Sequence, residues 1–346
     1  MTIDIALMGA TGAVGQKFIQ LLQGHPFFRI RELFASERSA GKTYGEAVTW
    51  TLSSPLAPET AALPVFSCDR EPQSRLVFSA LDASVAGPIE SRLVSLGHLV
   101  ISNARNHRMD HDVPIMIPEI NGSLLRKIPA HQGALITNPN CSTAGLALPL
   151  FPLHRAFGLV SLHVVTMQAF SGAGYPGLPA WDILGNVIPF IDGEEEKIQC
   201  ELPKIFGHFN GKTSAPAPIR VTASCNRVPV REGHLLDIRA SFEKPLSLEE
   251  VREAWALFCS PEPDLSLPSA PLSPVIYRPE ENMPQPSLFH ETNGMSVYTG
   301  RLKVLSEREI SFKALVHNTI RGAAGNALLI AEQAVLTQQP SGHFYS

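Results

Sequence analysis

The sequence predicts an α/β protein with two parts, a Rossmann-like dinucleotide-binding domain and an α+β domain built on a mixed sheet. Three observations lead to this fold class. A short apolar strand runs directly into a glycine-rich turn at residues 9–15, and short apolar strands then alternate with helical stretches as far as residue 137. Beyond that point, longer strand-like stretches follow one another with few helices between them. The 346 residues are enough for two or three domains.

The N-terminal part reads as repeated strand and helix. Ile3–Met8 is an apolar run, and Phe18, Ile19 and Leu22 recur at helical spacing after the glycines. Further strands are predicted at Ile30–Ala35, at Leu76–Leu81, at Leu99–Ser102 and from Ala134, with a helix at Val85–Leu96. This alternation predicts an open, mostly parallel sheet with helices on both faces.

The pattern changes after Ala134, where a polar turn at Asn138–Asn140 leads into an apolar helix around Ala144–Leu150. Strands are then predicted at Leu162–Ala169, Arg220–Ser224 and Leu235–Phe242, with a charged helix at Ser247–Phe258. The proline-rich stretch Pro261–Pro286 is interpreted as an extended loop across a surface or a subunit interface. Thr319–Leu336 is predicted to be a closing helix that packs back onto the first domain.

Composition limits the classes of function. Hydrophobic residues make up 44% and charged residues 17% of the chain, as in a globular protein with a large core. The formal net charge is −4 and no basic stripe is visible, so nucleic acid is not expected as a partner. The start of the chain has no basic region and no window holds about 18 uncharged apolar residues, so we expect neither a signal peptide nor a membrane partner.

The five cysteines include no CxxC pair. This argues against a disulfide framework and against a zinc ribbon, so no metal site is predicted. Free cysteines are typical of a reducing compartment, and a cytoplasmic location is expected.

The first motif that carries chemistry is the glycine turn. Gly9, Gly12 and Gly15 follow a strand and open a helix, where side chains would block a pyrophosphate from the backbone. The free N–H groups of the helix N-terminus attract negative charge. The spacing differs from GxGxxG, but the position directly after the first strand favours a dinucleotide site over a structural turn.

The end of the second predicted strand selects between NAD and NADP. An acidic residue there favours the ribose hydroxyl of NAD, whereas arginine or hydroxyl side chains favour the 2′-phosphate of NADP. Ser36, Arg38 and Ser39 can donate to a phosphate, while Glu37 points to the opposite choice. We predict NADP as the cofactor.

Cys141 stands at the start of the predicted apolar helix. A thiol at a helix N-terminus lies near unpaired N–H groups and the positive end of the dipole, which favour thiolate and an oxyanion. A cysteine is also well suited to attack an acyl carbon and then to leave. A nucleophilic cysteine needs a base, and the candidates are His107, His163, His208 and His234.

Four segments resemble one family. They are ITNPNCSTAGLALPL, VVTMQAFSGAGYPG, GNVIPFIDGEEEKI and SCNRVPVREGH. With the first glycine turn and the RGAAGNA segment, they identify the chain as similar to aspartate-β-semialdehyde dehydrogenases of the archaeal and fungal branch. The resemblance covers nearly the whole chain.

The resemblance implies a phosphorylating aldehyde dehydrogenase of lysine, threonine and methionine biosynthesis. In such an enzyme a cysteine thiolate attacks the acyl carbon of β-aspartyl phosphate, phosphate leaves, and NADPH reduces the thioester to aspartate semialdehyde. The catalytic residues implied are Cys141 as nucleophile, His234 as acid and base with a pKa near neutrality, and Gln168 as the residue that orients substrate.

Matching positions imply further contacts. The substrate-binding residues are Arg227 for the carboxylate, Glu194 for the amino group with Lys197 beside it, and Arg108 with Asn140 and Lys197 for the phosphate. Arg105 is a further candidate in the same segment as Arg108. The glycine turn, the end of the second strand and the resemblance together imply a set of cofactor-binding residues. They are Gly9, Ala10, Thr11, Gly12, Ala13, Val14, Ser36, Arg38, Ser39, Ser171, Gly172 and Asn318.

Two other functions remain open from the sequence. An NADPH-dependent malonyl-CoA or succinyl-CoA reductase would use the same Cys141 and His234 with a CoA leaving group. A dinucleotide-binding sensor or scaffold without activity is disfavoured by the intact Cys141, Gln168, Arg227 and His234. The resemblance also implies a homodimer or homotetramer, an NADP-binding domain of residues 1–137 with 319–346, and a catalytic and dimerisation domain of residues 138–318.

Overall fold

Six short strands form the sheet of the N-terminal part. The structure is a computed structural model and describes residues 2–128, 132–259 and 266–338. The strands are β1 (Ile3–Met8), β2 (Phe28–Ala35), β3 (Val65–Ser67), β4 (Leu76–Ser79), β5 (Leu99–Ser102) and β6 (Ala134–Thr137). They lie in the order β3-β2-β1-β4-β5-β6, and every neighbouring pair is parallel. The strand order reverses between β1 and β4, where open α/β sheets bind their ligands.

Helices cover both faces of this sheet, as predicted. They are α1 (Ala13–Leu22), α2 (Tyr44–Ala47), α3 (Pro58–Ala61), α4 (Ala83–Ser95) and α5 (Pro118–Asn121), followed by a 3₁₀ segment at Gly122–Lys127. Successive strand residues point to opposite faces. Ile5 and Leu7 therefore pack in one core cluster with Phe18 of α1, while Ala6 packs in another with Leu93 of α4.

A mixed sheet forms the second part, also as predicted. Its strands are β7 (Leu159–Ala169), β10 (Arg220–Val228), β11 (His234–Phe242), β12 (Val275–Arg278), β13 (Val297–Ser306) and β14 (Glu309–Val316), in the order β10-β7-β11-β14-β13-β12. The two outer pairs are parallel and the inner pairs are antiparallel. A separate two-stranded ribbon pairs β8 (His208–Phe209) with β9 (Ser214–Ala215).

The helices after residue 140 are α6 (Cys141–Phe157), α7 (Ala180–Ile183), α8 (Glu194–Phe206), α9 (Leu248–Ala256) and α10 (Gly325–Gln338), with 3₁₀ segments at Phe170–Ala173 and Pro286–Glu291. Glycine lets α6 approach the mixed sheet closely. A methyl group at Gly145 would lie 2.7 Å from Val316 of β14. None of the helices in the described ranges is both long and apolar enough to cross a lipid bilayer.

The C-terminal stretch returns to the N-terminal part. A π-helical turn at Ile320–Ala324 leads into α10, whose Ala327, Ile330 and Ala334 lie in the same core cluster as β1 and α1. A closing helix over Thr319–Leu336 was predicted to pack on the first domain. This prediction is confirmed, except that the first turn is π-helical and not α-helical.

Two predictions for the second part need correction. Pro261–Pro286 is not a continuous loop, because β12 lies within it and pairs with β13; residues 261–265 of this stretch lie outside the described residues. Strands β13 and β14 were not predicted. Charged residues such as Lys303 and Glu309 interrupt their apolar pattern, because one end of this hairpin is exposed to solvent.

Candidate active site

Cys141 is the first residue of α6, and its position is fixed from two sides. The side-chain oxygen of Asn140 caps the helix by accepting from the N–H groups of Ser142 at 2.9 Å and Thr143 at 3.3 Å. On the other side, Gly322 of the π-helical turn lies so close that a methyl group there would be 2.5 Å from Cβ of Cys141. The thiol is therefore held between the helix cap and the C-terminal turn.

The ionisation of this thiol differs from the prediction. Burial, and then the charge of the nearby Glu194 carboxylate, raise the pKa of Cys141 to about 12, although Arg108 and Arg227 act to lower it. The expectation of a thiolate stabilised by the helix terminus is therefore wrong for the protein without ligands. Removal of the thiol from water outweighs the helix dipole and the two arginines.

Glu194 gathers three of the predicted side chains around one carboxylate. It accepts hydrogen bonds from Asn140 at 2.9 Å and 3.1 Å, from Gln168 at 3.2 Å and from Lys197 at 2.6 Å. Burial raises the pKa of Glu194, but Lys197 and these hydrogen bonds outweigh burial, so the pKa is lowered. Glu194 is therefore a buried anion beside the thiol.

Arg227 lies at the end of β10 with only 5% of its surface exposed. Its guanidinium donates to the carbonyl oxygen of Ala169 at 2.8 Å. Within the part of the chain that the structure describes, no carboxylate lies within ion-pair distance of Arg227. A buried guanidinium without an acidic partner is able to bind the carboxylate of a ligand.

His234, the first residue of β11, faces the same space with none of its surface exposed. A methyl group at Gly172 would lie 3.3 Å from Nε2 of His234 and 2.8 Å from Nη1 of Arg227. Burial, and then the charge of Arg227, lower the pKa of His234 to about 3, so the expected near-neutral pKa is wrong. The imidazole is neutral at physiological pH.

The backbone also selects the tautomer of His234. Its Nδ1 accepts a hydrogen bond from the N–H of Ala169 at 3.1 Å, so the ring proton is on Nε2. Nε2 is buried and has no hydrogen-bond partner among the residues that the structure describes. It is therefore a donor available to a bound ligand.

Arg108 is buried near the thiol, and its hydrogen-bond partners within the protein were not predicted. Its guanidinium donates to the carboxylate of Glu201 at 2.9 Å and to the carbonyl oxygen of Asn103 at 2.7 Å. Sequence reasoning missed Glu201. The available signal was its spacing, because Glu201 follows Glu194 and Lys197 at helical intervals on one face of α8. Arg105 is exposed, and its guanidinium lies near Gly193, just before Glu194.

The other histidines considered from the sequence lie elsewhere. His163 bonds to Thr222 on the face of the mixed sheet, His208 is exposed at the start of β8, and His107 pairs with Asp110 at 2.6 Å. None of them is bonded to the groups around Cys141.

The glycine turn joins β1 to α1. Gly9 has a positive φ of 77°, and a methyl group there would lie 2.4 Å from the carbonyl oxygen of Ala80. The N–H groups of Gly9 and Ala10 both donate to Phe34, so these two residues shape the turn and do not offer free donors. Gly12 is exposed, and a methyl group there would make only an ordinary contact.

Beyond the glycine turn, the start of α1 is accessible. The N–H groups of Ala13 and Val14 belong to its first turn, which has no preceding carbonyls to bond. Thr11 precedes the helix and is half-buried. This arrangement fits the pyrophosphate of a dinucleotide.

The end of β2 carries the residues predicted to select the cofactor. Ser36 and Arg38 are exposed and Ser39 is half-buried. The carboxylate of Glu37 accepts a hydrogen bond from the hydroxyl of Ser67 at the end of β3. Glu37 is therefore engaged by a neighbouring strand, while Arg38 is available to a phosphate.

Ser171, Gly172 and Asn318 lie where the two parts of the site meet. Asn318 donates to the hydroxyl of Ser171 at 2.9 Å and accepts from the N–H of Gly233 at 2.9 Å. Asn318 thus links the C-terminal turn to the segment before His234. It and Ser171 are in place to contact a cofactor that bridges the two sheets.

The geometry brings the predicted catalytic and substrate-binding residues to one place. Cys141, Asn140, Gln168, Glu194, Lys197, Arg108, Arg227 and His234 are connected through the hydrogen bonds and charge interactions described above. The site combines a thiol, a buried carboxylate, two buried guanidinium groups and a neutral imidazole donor. Such a set is suited to acyl transfer through sulfur.

Comparison with known proteins gives two matching family models. Residues 4–128 match the model described as semialdehyde dehydrogenase, NAD binding domain, and residues 150–321 match semialdehyde dehydrogenase, dimerisation domain.

Curated relatives match along nearly the whole chain. An aspartate-semialdehyde dehydrogenase of Archaeoglobus fulgidus is 43% identical over 340 residues, covering 96% of this chain and 98% of the relative. That of Schizosaccharomyces pombe is also 43% identical, over 347 residues, covering 96% of this chain and 97% of the relative. A malonyl CoA reductase (NADP) of Metallosphaera sedula is 36% identical, covering 96% of this chain and 97% of the relative.

Among solved structures, the aspartate semialdehyde dehydrogenase of Candida albicans with NADP superposes with a TM-score of 0.91. It is 36% identical, with 98% of this chain and 99% of that chain covered. The aspartate semialdehyde dehydrogenase II of Vibrio cholerae gives a TM-score of 0.78 at 26% identity, covering 98% of this chain and 99% of that chain.

Proposed function

The chain belongs to the semialdehyde dehydrogenase family, in the branch of the archaeal and fungal aspartate-semialdehyde dehydrogenases, and we propose that it reduces β-aspartyl phosphate to aspartate semialdehyde with NADPH. The observation that carries this proposal is the buried Arg227, which lacks a carboxylate partner in the described residues and lies beside Cys141. Because an unpaired buried charge is unfavourable, Arg227 is explained by a substrate carboxylate. The reaction belongs to lysine, threonine and methionine biosynthesis.

The cofactor is NADP. Its pyrophosphate would be held by the start of α1 at Thr11, Gly12, Ala13 and Val14, after the turn shaped by Gly9 and Ala10. The 2′-phosphate would be bound by Ser36, Arg38 and Ser39, and the nicotinamide would contact Ser171, Gly172 and Asn318. When bound, NADPH supplies the hydride that reduces the acyl group.

The substrate is held by charged groups on opposite sides of the thiol. The planar guanidinium of Arg227 binds the α-carboxylate through two parallel hydrogen bonds, and Glu194 binds the amino group. Arg108, Lys197 and Asn140 bind the phosphate, while Gln168 orients the acyl group next to Cys141. The carboxylate of Glu194 is therefore matched to an amino acid substrate.

In the first step the sulfur of Cys141 attacks the acyl carbon, a carbon–sulfur bond forms, and the carbon–oxygen bond to phosphate breaks. The thiol proton leaves with the phosphate, so this step needs no net proton from solvent. His234 donates from Nε2 to the acyl oxygen as negative charge develops there. Because its Nδ1 accepts from Ala169, this donor is present before substrate binds.

In the second step the thioester carbon is reduced and the oxygen again becomes negative. His234 stabilises this oxygen until it re-forms the carbonyl and expels the sulfur of Cys141. The thiolate then takes up a proton, which the raised pKa of Cys141 favours. Burial of the site excludes water that would hydrolyse the thioester.

The acyl-CoA alternative is not favoured. The malonyl CoA reductase relative is 36% identical to the chain, against 43% for the aspartate-semialdehyde dehydrogenases of A. fulgidus and S. pombe. The presence of both Glu194 and Arg227 in one site also suits an amino acid better than a malonyl or succinyl group.

One assay tests the proposal. NADP⁺ reduction is measured with aspartate semialdehyde, with and without inorganic phosphate, and is compared with the oxidation of NADPH by malonyl-CoA and succinyl-CoA. We expect phosphate-dependent reduction of NADP⁺ and no reaction with either thioester. Turnover with a CoA thioester and none with aspartate semialdehyde would overturn the proposal.

Organisation and assembly are proposals of the same kind. We propose an NADP-binding domain of residues 1–137 with 319–346 and a catalytic and dimerisation domain of residues 138–318, of which residues 1, 129–131, 260–265 and 339–346 lie outside the described ranges. The split is supported by the two separate sheets and by the core cluster that α10 shares with β1. A homodimer or homotetramer in the cytoplasm is proposed with it.

A further inference from the structure

Helix α8 places four charged side chains along one face. Glu194, Lys197, Glu201 and Lys204 follow one another at spacings of three and four residues, so they point in the same direction. The first two belong to the proposed substrate site. The other two are also buried, with 1% of Glu201 and 9% of Lys204 exposed, and have no role in the chemistry described above.

The carboxylate of Glu201 joins two parts of the proposed phosphate pocket. One oxygen accepts from Nη1 of Arg108 at 2.9 Å, and the other accepts from the main-chain N–H of Asn140 at 2.6 Å. Arg108 and Asn140 come from different segments of the chain, 32 positions apart by their numbers. Glu201 therefore fixes the distance between the arginine and the residue that caps the helix of Cys141.

Lys204 holds the main chain of the same segment. Its ammonium group donates to the carbonyl oxygen of Arg108 at 2.5 Å and to that of Asp110 at 2.7 Å. Side chain and backbone of Arg108 are thus both anchored to α8. The Nε of Arg108 is buried and has no hydrogen-bond partner within the described ranges, so the anchored guanidinium still has a donor to offer a ligand.

We propose that Glu201 is a positioning residue that orients Arg108 and Asn140 to receive the phosphate of the substrate, without touching the substrate itself. This inference rests on the proposed function. It goes further by naming a carboxylate that holds the phosphate-binding residues in place. Without Glu201, the guanidinium would be free to leave its orientation, and the N–H of Asn140 would lose its acceptor.

The test is the effect of Glu201→Gln on the KM for inorganic phosphate, measured with aspartate semialdehyde and NADP⁺. The two donors bond different oxygens of Glu201, and in the amide one of these oxygens is replaced by an NH2 group, which cannot accept. We expect the phosphate KM to rise about tenfold or more, the usual consequence of losing a buried charged hydrogen bond. The KM values for aspartate semialdehyde and NADP⁺ should stay within about twofold of wild type, since Arg227 and the glycine turn are untouched.

The matched control is Glu196→Gln, the same change on the exposed side of α8, which should leave all three KM values unchanged. A second test is a double-mutant cycle with Arg108→Met. Because Glu201 acts through Arg108 as well as Asn140, Glu201→Gln should raise the phosphate KM of the Arg108 variant by a smaller factor than it raises that of the wild type. If Glu201→Gln does not fold, Glu201→Asp preserves the charge, shortens the reach, and should still raise the phosphate KM selectively.

A readout independent of turnover separates this inference from the proposed function. Inorganic phosphate should protect Cys141 of the wild type from iodoacetamide, and Glu201→Gln should need about tenfold more phosphate for the same protection. A wild type that shows neither protection nor phosphate-dependent turnover would contradict both proposals. The role of Glu201 alone would be overturned if the wild type shows both effects and Glu201→Gln has an unchanged phosphate requirement. It would also be overturned if Glu201→Gln raises all three KM values equally.

Discussion

The two binding regions of this protein are built in different ways. The proposed cofactor region consists of backbone N–H groups at the start of α1 and of exposed side chains such as Arg38 at the end of β2. Most side chains in the region around Cys141 are almost completely buried, among them Arg108, Arg227 and His234. Each group in the first region contacts water, whereas each group in the second depends on its neighbours for hydrogen bonds and for charge balance.

This difference indicates which substitutions the protein should tolerate. Removing one exposed donor from the cofactor region leaves its neighbours solvated, so the loss stays local. Removing one buried group from the thiol site leaves partners without hydrogen bonds or counter-charges, so the loss is larger. The following predictions test this contrast, starting with the largest effect.

Cys141→Ala should abolish turnover, with a loss of about 10⁴-fold or more, because no other group can form the thioester. Binding of NADP⁺ should remain close to that of wild type, since the glycine turn is separate. Steady-state assays and a fluorescence titration of NADPH measure the two effects. Residual activity near the wild-type level would remove Cys141 from the reaction.

The reactivity of Cys141 reports its raised pKa. With a pKa of about 12, the thiol should react with iodoacetamide at pH 7 on the order of a hundredfold more slowly than a free cysteine, even after its higher intrinsic nucleophilicity is counted. The rate should rise with pH through pH 10 without a plateau. The Cys141→Ser variant gives the background reaction of the exposed Cys200 and Cys259, which is subtracted. A plateau near pH 7 would indicate a thiolate and contradict the burial argument.

Gly322→Ala should lower kcat on the order of a hundredfold. The new methyl group would lie 2.5 Å from Cβ of Cys141, so the thiol must move from its attacking position. Gly12→Ala is the comparison in the other region, where the methyl group meets only an ordinary contact at 3.5 Å. That variant should weaken NADPH binding and leave the kcat at saturating cofactor nearly unchanged. Equal effects of the two substitutions on kcat would contradict the proposed difference between the two regions.

Arg227→Lys should raise the KM for aspartate semialdehyde by about ten- to a hundredfold, because a lysine offers a point charge and no planar pair of donors. The KM for NADP⁺ serves as the internal reference and should not change. A KM for aspartate semialdehyde equal to that of wild type would exclude Arg227 from the carboxylate site.

The smallest effect is expected at the surface. Arg38→Ala should weaken NADPH about tenfold and NADH very little, since only NADPH carries the 2′-phosphate and exposed ion pairs are weak. Glu37→Gln is the control, because Glu37 is bonded to Ser67 and should have little influence on the NADPH preference. Equal losses for NADPH and NADH would contradict the role of Arg38.

The fold of the N-terminal part was predictable because its signals are local. Ile3–Met8 and Leu99–Ser102 are short apolar runs buried on both faces, and the structure gives these strands the predicted bounds. In the mixed sheet, β12 was hidden among prolines, and β13 and β14 carry charged residues where they reach solvent. Their pairing depends on strands far along the chain, which no local pattern records.

The site was predictable in its membership and not in its ionisation. The motifs around Cys141, Glu194 and His234 identified side chains that the structure brings together. Cys141 was expected to be a stabilised thiolate and His234 to have a pKa near neutrality, yet burial raises the pKa of Cys141 and lowers that of His234. Desolvation depends on all the atoms around a group, and these come from separate segments.

Residues close together in the chain were enough to predict the strand–glycine–helix turn, the succession of strands and helices along the N-terminal part and the place of Cys141 at the start of a helix. The packing of distant segments decided that Glu201 ties Arg108 to Asn140 and that Ala169 selects the tautomer of His234. It also decided that Arg227 is buried with no carboxylate of the described residues within ion-pair distance. These features arise where distant segments exclude water from the same small volume, and there the strength of every charge is set by what surrounds it.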